Sequence, residues 1–134
     1  MSLHNKQWLL ISRATGEPTP ENFKLVETEV PDLQDGEVVV RHHYLSLDPY
    51  MRGRMTDAKN YATLQPLNEV MIGGTVGEVA ASKNPAFAVG DSVVGMGGWQ
   101  LYQRCAQRSS VACARWTRSA FLCPPISARS ACRA

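Results

Sequence analysis

The groups in this chain with chemistry to offer are two adjacent histidines, four cysteines, a glycine cluster and an Asp-Pro-Tyr-Met-Arg block. His42 and His43 sit side by side in an extended run, so their side chains point to opposite faces. That makes them poor joint metal ligands and reads as a paired or solvated structural pair. Residues 1–100 contain no cysteine, which excludes a cysteine-ligated zinc from this part of the chain. Cys105, Cys113, Cys123 and Cys132 follow at spacings of 8, 10 and 9. They form no C-x-x-C pair and have no histidine nearby, so no metal site is expected. Gly73-Gly74-Thr75-Val76-Gly77 is glycine-rich, but no helical pattern follows it, and it lacks the context of a phosphate-binding fingerprint. Its glycines read as points of close backbone approach in a strand.

These groups need elements to hold them. Gln7–Ser12 reads as a short strand and Phe23–Val30 as a half-buried one with alternating character. Glu37–Leu47 is the longest β-like run, rich in β-branched and aromatic residues suited to a central strand. In Asp48-Pro49-Tyr50-Met51-Arg52-Gly53-Arg54-Met55, Asp48 suits a helix N-cap and Pro49 the first helical position. Gly53 should keep that helix short. In one reading Asp48 caps, Tyr50 and Met51 pack in the core, and Arg52 braces a loop ion pair. Thr56–Asn68 reads as a loop, Glu69–Ser82 as a Gly-rich strand region, and Val89–Gly95 as another strand. Short strands with Gly, Pro and Asp turns predict a mainly β, barrel-like domain.

The composition changes at residue 101. Residues 1–100 carry eight basic and twelve acidic residues and all ten glycines. Leu101–Ala134 holds six Arg, no Lys, Asp, Glu or Gly, and all four cysteines. The overall +2 charge therefore says little about partners. No basic-aromatic pattern suggests nucleic acid. No apolar run reaches the roughly 18–20 residues of a membrane helix, and no secretory signal pattern opens the chain. A cytoplasmic protein without nucleic-acid or membrane partners is expected.

Four segments together resemble one family. They are Pro31-x4-Gly36-Glu37-Val38-Val39-Val40, then Leu45-Ser46-Leu47-Asp48-Pro49-Tyr50-Met51-Arg52-Gly53-Arg54-Met55, then Gly73-Gly74-Thr75-Val76-Gly77-Glu78-Val79, then Phe87-x2-Gly90-Asp91-x-Val93-Val94-Gly95. The pattern resembles the N-terminal, GroES-like domain of the medium-chain dehydrogenase/reductase superfamily. Within it the likeness is to the zinc-independent branch of leukotriene/prostaglandin reductases and alkenal double-bond reductases, and most of all to bacterial NADPH-dependent curcumin reductases. It covers roughly residues 5–100, and the Asp48–Met55 block is its specific part.

The resemblance implies a GroES-like, partly open β-barrel that shapes a substrate pocket, here without the Rossmann domain that binds NADPH. It implies reduction of the carbon–carbon double bond of an α,β-unsaturated ketone or aldehyde, in an enzyme often homodimeric at full length. It places Tyr50 and Tyr61 at the substrate, Tyr61 as a donor to the carbonyl oxygen. It places Pro49, Met51 and Arg52 at the cofactor, Met51 on the nicotinamide ring and Arg52 on a phosphate or carboxylate. As a fragment the chain is expected to be inactive. A stand-alone GroES-like binding module is the alternative, and a stable ring would favour it.

The expected division is a GroES-like domain over 1–100 and an out-of-frame, irregular or disordered tail over 101–134. When the last base of each codon is joined to the first two of the next, Trp116 and Thr117 force an Asp. With permitted codons, Ala112–Thr117 then gives Leu-Arg-Lys-Val-Asp. Leu122–Ala134 gives Leu-Ser-Ala-Tyr-Leu-Gly-Ala-Val-Gly-Met-Pro-Gly, which is similar to the family's hinge into its cofactor domain. The alternative is a natural basic tail, disordered or bound to an acidic partner. The coding DNA around residue 100 distinguishes the two.

Overall fold

The computed structural model describes residues 3–57, 64–106 and 114–115. Its elements are β1 His4–Leu10, a 3-10 turn Pro20–Asn22, β2 Phe23–Glu29, β3 Glu37–Leu45, α1 Pro49–Met55, β4 Glu69–Val70, β5 Thr75–Ser82, β6 Ser92–Gly95, β7 Tyr102–Ala106 and β8 Ala114–Arg115. They form two antiparallel sheets, ordered β2-β1-β4 and β7-β3-β5-β6-β8. The expected mainly β, GroES-like architecture is what the chain adopts.

β3 is central because its Val38, Val39 and Val40 are all buried, as a strand covered on both faces requires. Val38 and Val40 join Val79, Val93 and Cys105 in one core cluster. Leu10, Ala14, Met51, Met55 and Met71 form the other, with Phe23, Ile72 and Trp99 packed on it. Irregularities in the β3–β5 register lie between Val39 and Val40 and between His42 and Tyr44. Such bulges bend and twist a strand and re-aim its side chains.

The elements differ from expectation at three places. The Glu69–Ser82 region divides into β4 and β5, with Met71–Gly74 between them. α1 runs through Gly53 to Met55. A helical glycine costs about 1 kcal/mol relative to alanine, but Met51 and Met55, one turn apart, are both buried in the first core and offset it. The sheet also continues past residue 100. β7 pairs with β3 from Glu37↔Ala106 to Arg41↔Tyr102, so Cys105, expected as part of an irregular tail, is a core residue only 5% exposed. The backbone of Ala114–Arg115 pairs with Val93–Val94.

Candidate functional site

The segment leaving β3 builds one side of a cleft wall. Asp48 is extended, with φ −116° and ψ 148°, and Pro49 follows at the start of α1. The Asp48 side chain makes no capping bond, a correction to the expected cap; its carbonyl instead accepts from the Met51 amide at 3.1 Å. Glycines form the other side. The Ser46 amide donates to the Gly74 carbonyl at 2.8 Å and the Gly98 amide to the Gly73 carbonyl at 3.0 Å. A Cβ on Gly73 would lie 2.8 Å from Leu45 Cδ1, 3.0 Å from Met51 Cε and 3.1 Å from Trp99 Cδ1. These contacts show how closely the core backs this strip. Of Gly73, Gly74 and Gly77, Gly77 serves the expected backbone approach, since a Cβ there would fall inside the Arg41 carbonyl, whereas Gly73 and Gly74 face side chains.

Tyr44, Leu45, Ser46, Asp48, Gly74 and Val94 help line a shallow groove of about 420 Å³ on this wall. Its surroundings are apolar and open: Tyr44 is 75% exposed, Leu47 71% and Tyr50 38%. Tyr50 is thus a surface residue rather than the core residue of the packing alternative. The Arg54 guanidinium lies 5.4 Å from its ring centroid, within cation–π range. Met51 is 3% exposed and belongs to the core behind the wall. Arg52 is half-buried, and its Nη1 is buried with no hydrogen-bond partner among the described residues. Tyr61 lies outside the described residues. A larger cavity of about 560 Å³, between Val30–Leu33 and the outer face of β3 and β5, holds none of the candidate site residues.

The two histidines separate as expected. His43 meets Glu78 at 3.4 Å on the surface. His42 turns inward and its Nδ1 lies 2.9 Å from the Gln100 carbonyl. Burial lowers its pKa from the ordinary histidine value; the Gln100 and Gln103 contacts oppose that shift and His43 adds to it. No group of three or more metal-ligating side chains occurs among the described residues. No helix among them is long and apolar enough to cross a membrane.

Sequence reasoning missed the role of Met96–Leu101. This loop closes the underside of the wall through the Gly73–Gly98 bond and through Trp99, whose amide donates to the Met71 carbonyl at 2.8 Å. Trp99 stacks on Phe23 with centroids 5.4 Å apart. The available signal was Gly97-Gly98 directly before Trp99, a pair of small residues that lets a loop approach a sheet.

Residues 6–112 match a family described as the N-terminal domain of oxidoreductase. NADPH-dependent curcumin reductase of Escherichia coli is 49% identical over 98 residues, covering 73% of this chain and 28% of that protein. Prostaglandin reductase 1 of Bos taurus is 38% identical over 100 residues, covering 75% and 28%. CurA of Vibrio vulnificus, solved in complex with NADPH, superposes with a TM-score of 0.71 at 50% identity, covering 75% of this chain and 30% of that one. The chain therefore spans less than a third of the length of these relatives.

Proposed function

The chain belongs to the curcumin and prostaglandin reductase branch of the medium-chain dehydrogenase/reductase family, and we propose that it is the substrate-side lobe of an NADPH-dependent oxidoreductase that reduces the carbon–carbon double bond of an enone. The observation that carries this reading is the exposed apolar wall from Tyr44 to Tyr50 beside Gly73–Gly74, in a chain 49% identical over 98 residues to the curcumin reductase of Escherichia coli.

The residues present fit one face of such a site. Apolar exposed side chains suit a conjugated, flat substrate and help exclude water. Arg52 holds a buried Nη1 with no partner among the described residues in the same turn as Tyr50; turned outward, the guanidinium would suit an anionic group. When bound, NADPH supplies hydride to the β carbon of the enone, and a proton adds at the α carbon. Hydride addition places negative charge on the carbonyl oxygen, where a positioned hydroxyl lowers the barrier, and the proton taken up at the α carbon discharges it. Tyr61 is the proposed donor to that oxygen and Tyr50 the proposed substrate contact. Pro49 and Arg52 take the cofactor side, with Met51 bracing the turn from behind.

A chimera tests this. Residues 1–106 replace the corresponding segment of the Escherichia coli reductase, and loss of NADPH absorbance is followed with an enone such as curcumin. Turnover is expected, and Tyr61→Phe should lower kcat by about a hundredfold, as loss of a positioned acid does. A chimera that folds and binds NADPH yet reduces no enone refutes the function. Unchanged turnover in the variant removes only Tyr61.

A further inference from the structure

We propose that His42 is a positioning residue for the cleft wall: a latch that holds the loop Met96–Leu101 against the sheet while its ring is neutral and releases it when the ring takes up a second proton. The inference rests on the proposed function only in taking this loop as part of the cleft wall, and it is measured without any turnover.

The latch has two points on the loop's C-terminal end. The His42 amide donates to the Leu101 carbonyl at 2.8 Å. The ring faces the Gln100 carbonyl through Nδ1 at 2.9 Å, and because a carbonyl only accepts, Nδ1 carries the proton of the neutral ring. That assignment leaves Nε2 as a bare lone pair. Nε2 is buried and makes no hydrogen bond among the described residues, a tolerable state for a weak acceptor and a costly one for an N–H donor.

The ring also shapes the loop. A Cβ on Gly97 would overlap His42 Cε1 and Nε2, so the imidazole edge lies against the backbone of this glycine. The Gly97 amide is held by Thr75 Oγ1 at 3.1 Å, and the Gln100 side chain donates to the Gly97 carbonyl at 2.7 Å. Gln100 Oε1 accepts from Asn5 Nδ2 at 3.0 Å and Gln7 Nε2 at 2.8 Å. One imidazole thereby sits at the centre of a polar network joining β1, β3, β5 and the loop.

Among the described residues Nε2 has no hydrogen-bond partner; the Gln103 side chain beside the ring favours the protonated form, but burial outweighs it. The groups against the ring are Thr75, Gly97, Gln100 and Gln103, none of them charged. The ionisable neighbours lie beside it along the strands: Arg41 and His43 on β3, Glu78 on β5, which pairs with His43, and Tyr102 and Arg104 flanking Gln103 on β7. Burial disfavours the charged ring, and adjacent His43 adds to this. Hydrating Nε2–H requires the ring and Gly97 to part, and parting them lifts the loop that carries Met96 and Trp99.

The sign follows from linkage. The released state binds the proton at the ordinary value of about 6.5, and the latched state binds it less well. Latching is therefore fully present above that pH and weakens as the pH falls below it.

Backbone amide exchange and ring titration by NMR on the whole chain test the proposal. Corrected for intrinsic rates, protection of the Gly98, Trp99 and His42 amides should fall about tenfold per pH unit below about 6.5, the slope of one linked proton. The Val79 amide, bonded to the Asp91 carbonyl, should not follow. In His42→Asn, whose side-chain amide can donate from the Nδ1 position without titrating, the loop should keep its protection at both pH 7 and pH 5. Loop protection that is pH-independent in the wild type, or equally pH-dependent in the variant, overturns the proposal. If the variant does not fold, the wild-type ring decides: His42 must titrate below the ordinary histidine value of about 6.5 and together with the loop. Titration at or above that ordinary value, or without loop release, overturns it.

Discussion

At the scale of single residues, what a side chain would collide with separates two glycines that look alike in the sequence. A Cβ on Gly77 would enter the backbone carbonyl of Arg41, with the Arg41 carbonyl carbon at 2.9 Å and His42 Cα at 3.0 Å. β3 and β5 are held at that separation by their ladder, so neither partner can yield cheaply. The three atoms nearest a Cβ on Gly73 belong to the side chains of Leu45, Met51 and Trp99, and the Leu45 and Met51 ends can change rotamer. Gly77→Ala should therefore cost about 3 kcal/mol, the upper end of overpacking penalties, and Gly73→Ala about 1 kcal/mol. Urea unfolding of both variants measures this. Equal costs would mean that the ladder relaxes as readily as the side chains do.

At the scale of elements, β7 shows where composition misleads. The abrupt loss of Gly and acidic residues at residue 101 suggested an end to the fold, yet Tyr102–Ala106 completes the edge of the larger sheet beside β3. Five residues with one inward-facing Cys105 give too short an alternating pattern to stand out. The ladder is made by backbone groups that composition does not report. Burial predicts that Cys105 resists alkylation in the folded chain and reacts once denaturant opens the sheet, read by mass spectrometry with a maleimide. Cys105→Ser should destabilise by about 1–3 kcal/mol, because a hydroxyl is costlier to bury among Val38, Val40, Val79 and Val93. Ready labelling in the folded state would place β7 outside the core. β3 and α1 were legible because β-branched residues and the Asp-Pro entry are local signals. The inward turn of His42 and the clamp on Met96–Leu101 were not, because they depend on Asn5, Gln7 and Gln100, some 95 positions apart in the chain.

At the scale of the whole molecule, the proposed cleft has one wall among the described residues. Tyr44 and Leu47 are both more than two-thirds exposed, whereas a cofactor pocket buries roughly 70–90% of its ligand. Among the described residues the donors at hand are the Tyr44, Ser46 and Tyr50 hydroxyls and, once its buried Nη1 is uncovered, the Arg52 guanidinium. One charge-assisted hydrogen bond contributes about 1.5–3 kcal/mol, far short of the roughly 8 kcal/mol that micromolar affinity demands. The chain by itself should therefore give no NADPH heat signal in titration calorimetry at micromolar concentrations. The chimera with the Escherichia coli reductase should bind it, because the other walls are then present. Micromolar binding by the chain alone would show that residues 1–134 hold a complete nucleotide site, and the role of substrate-side lobe would have to be given up.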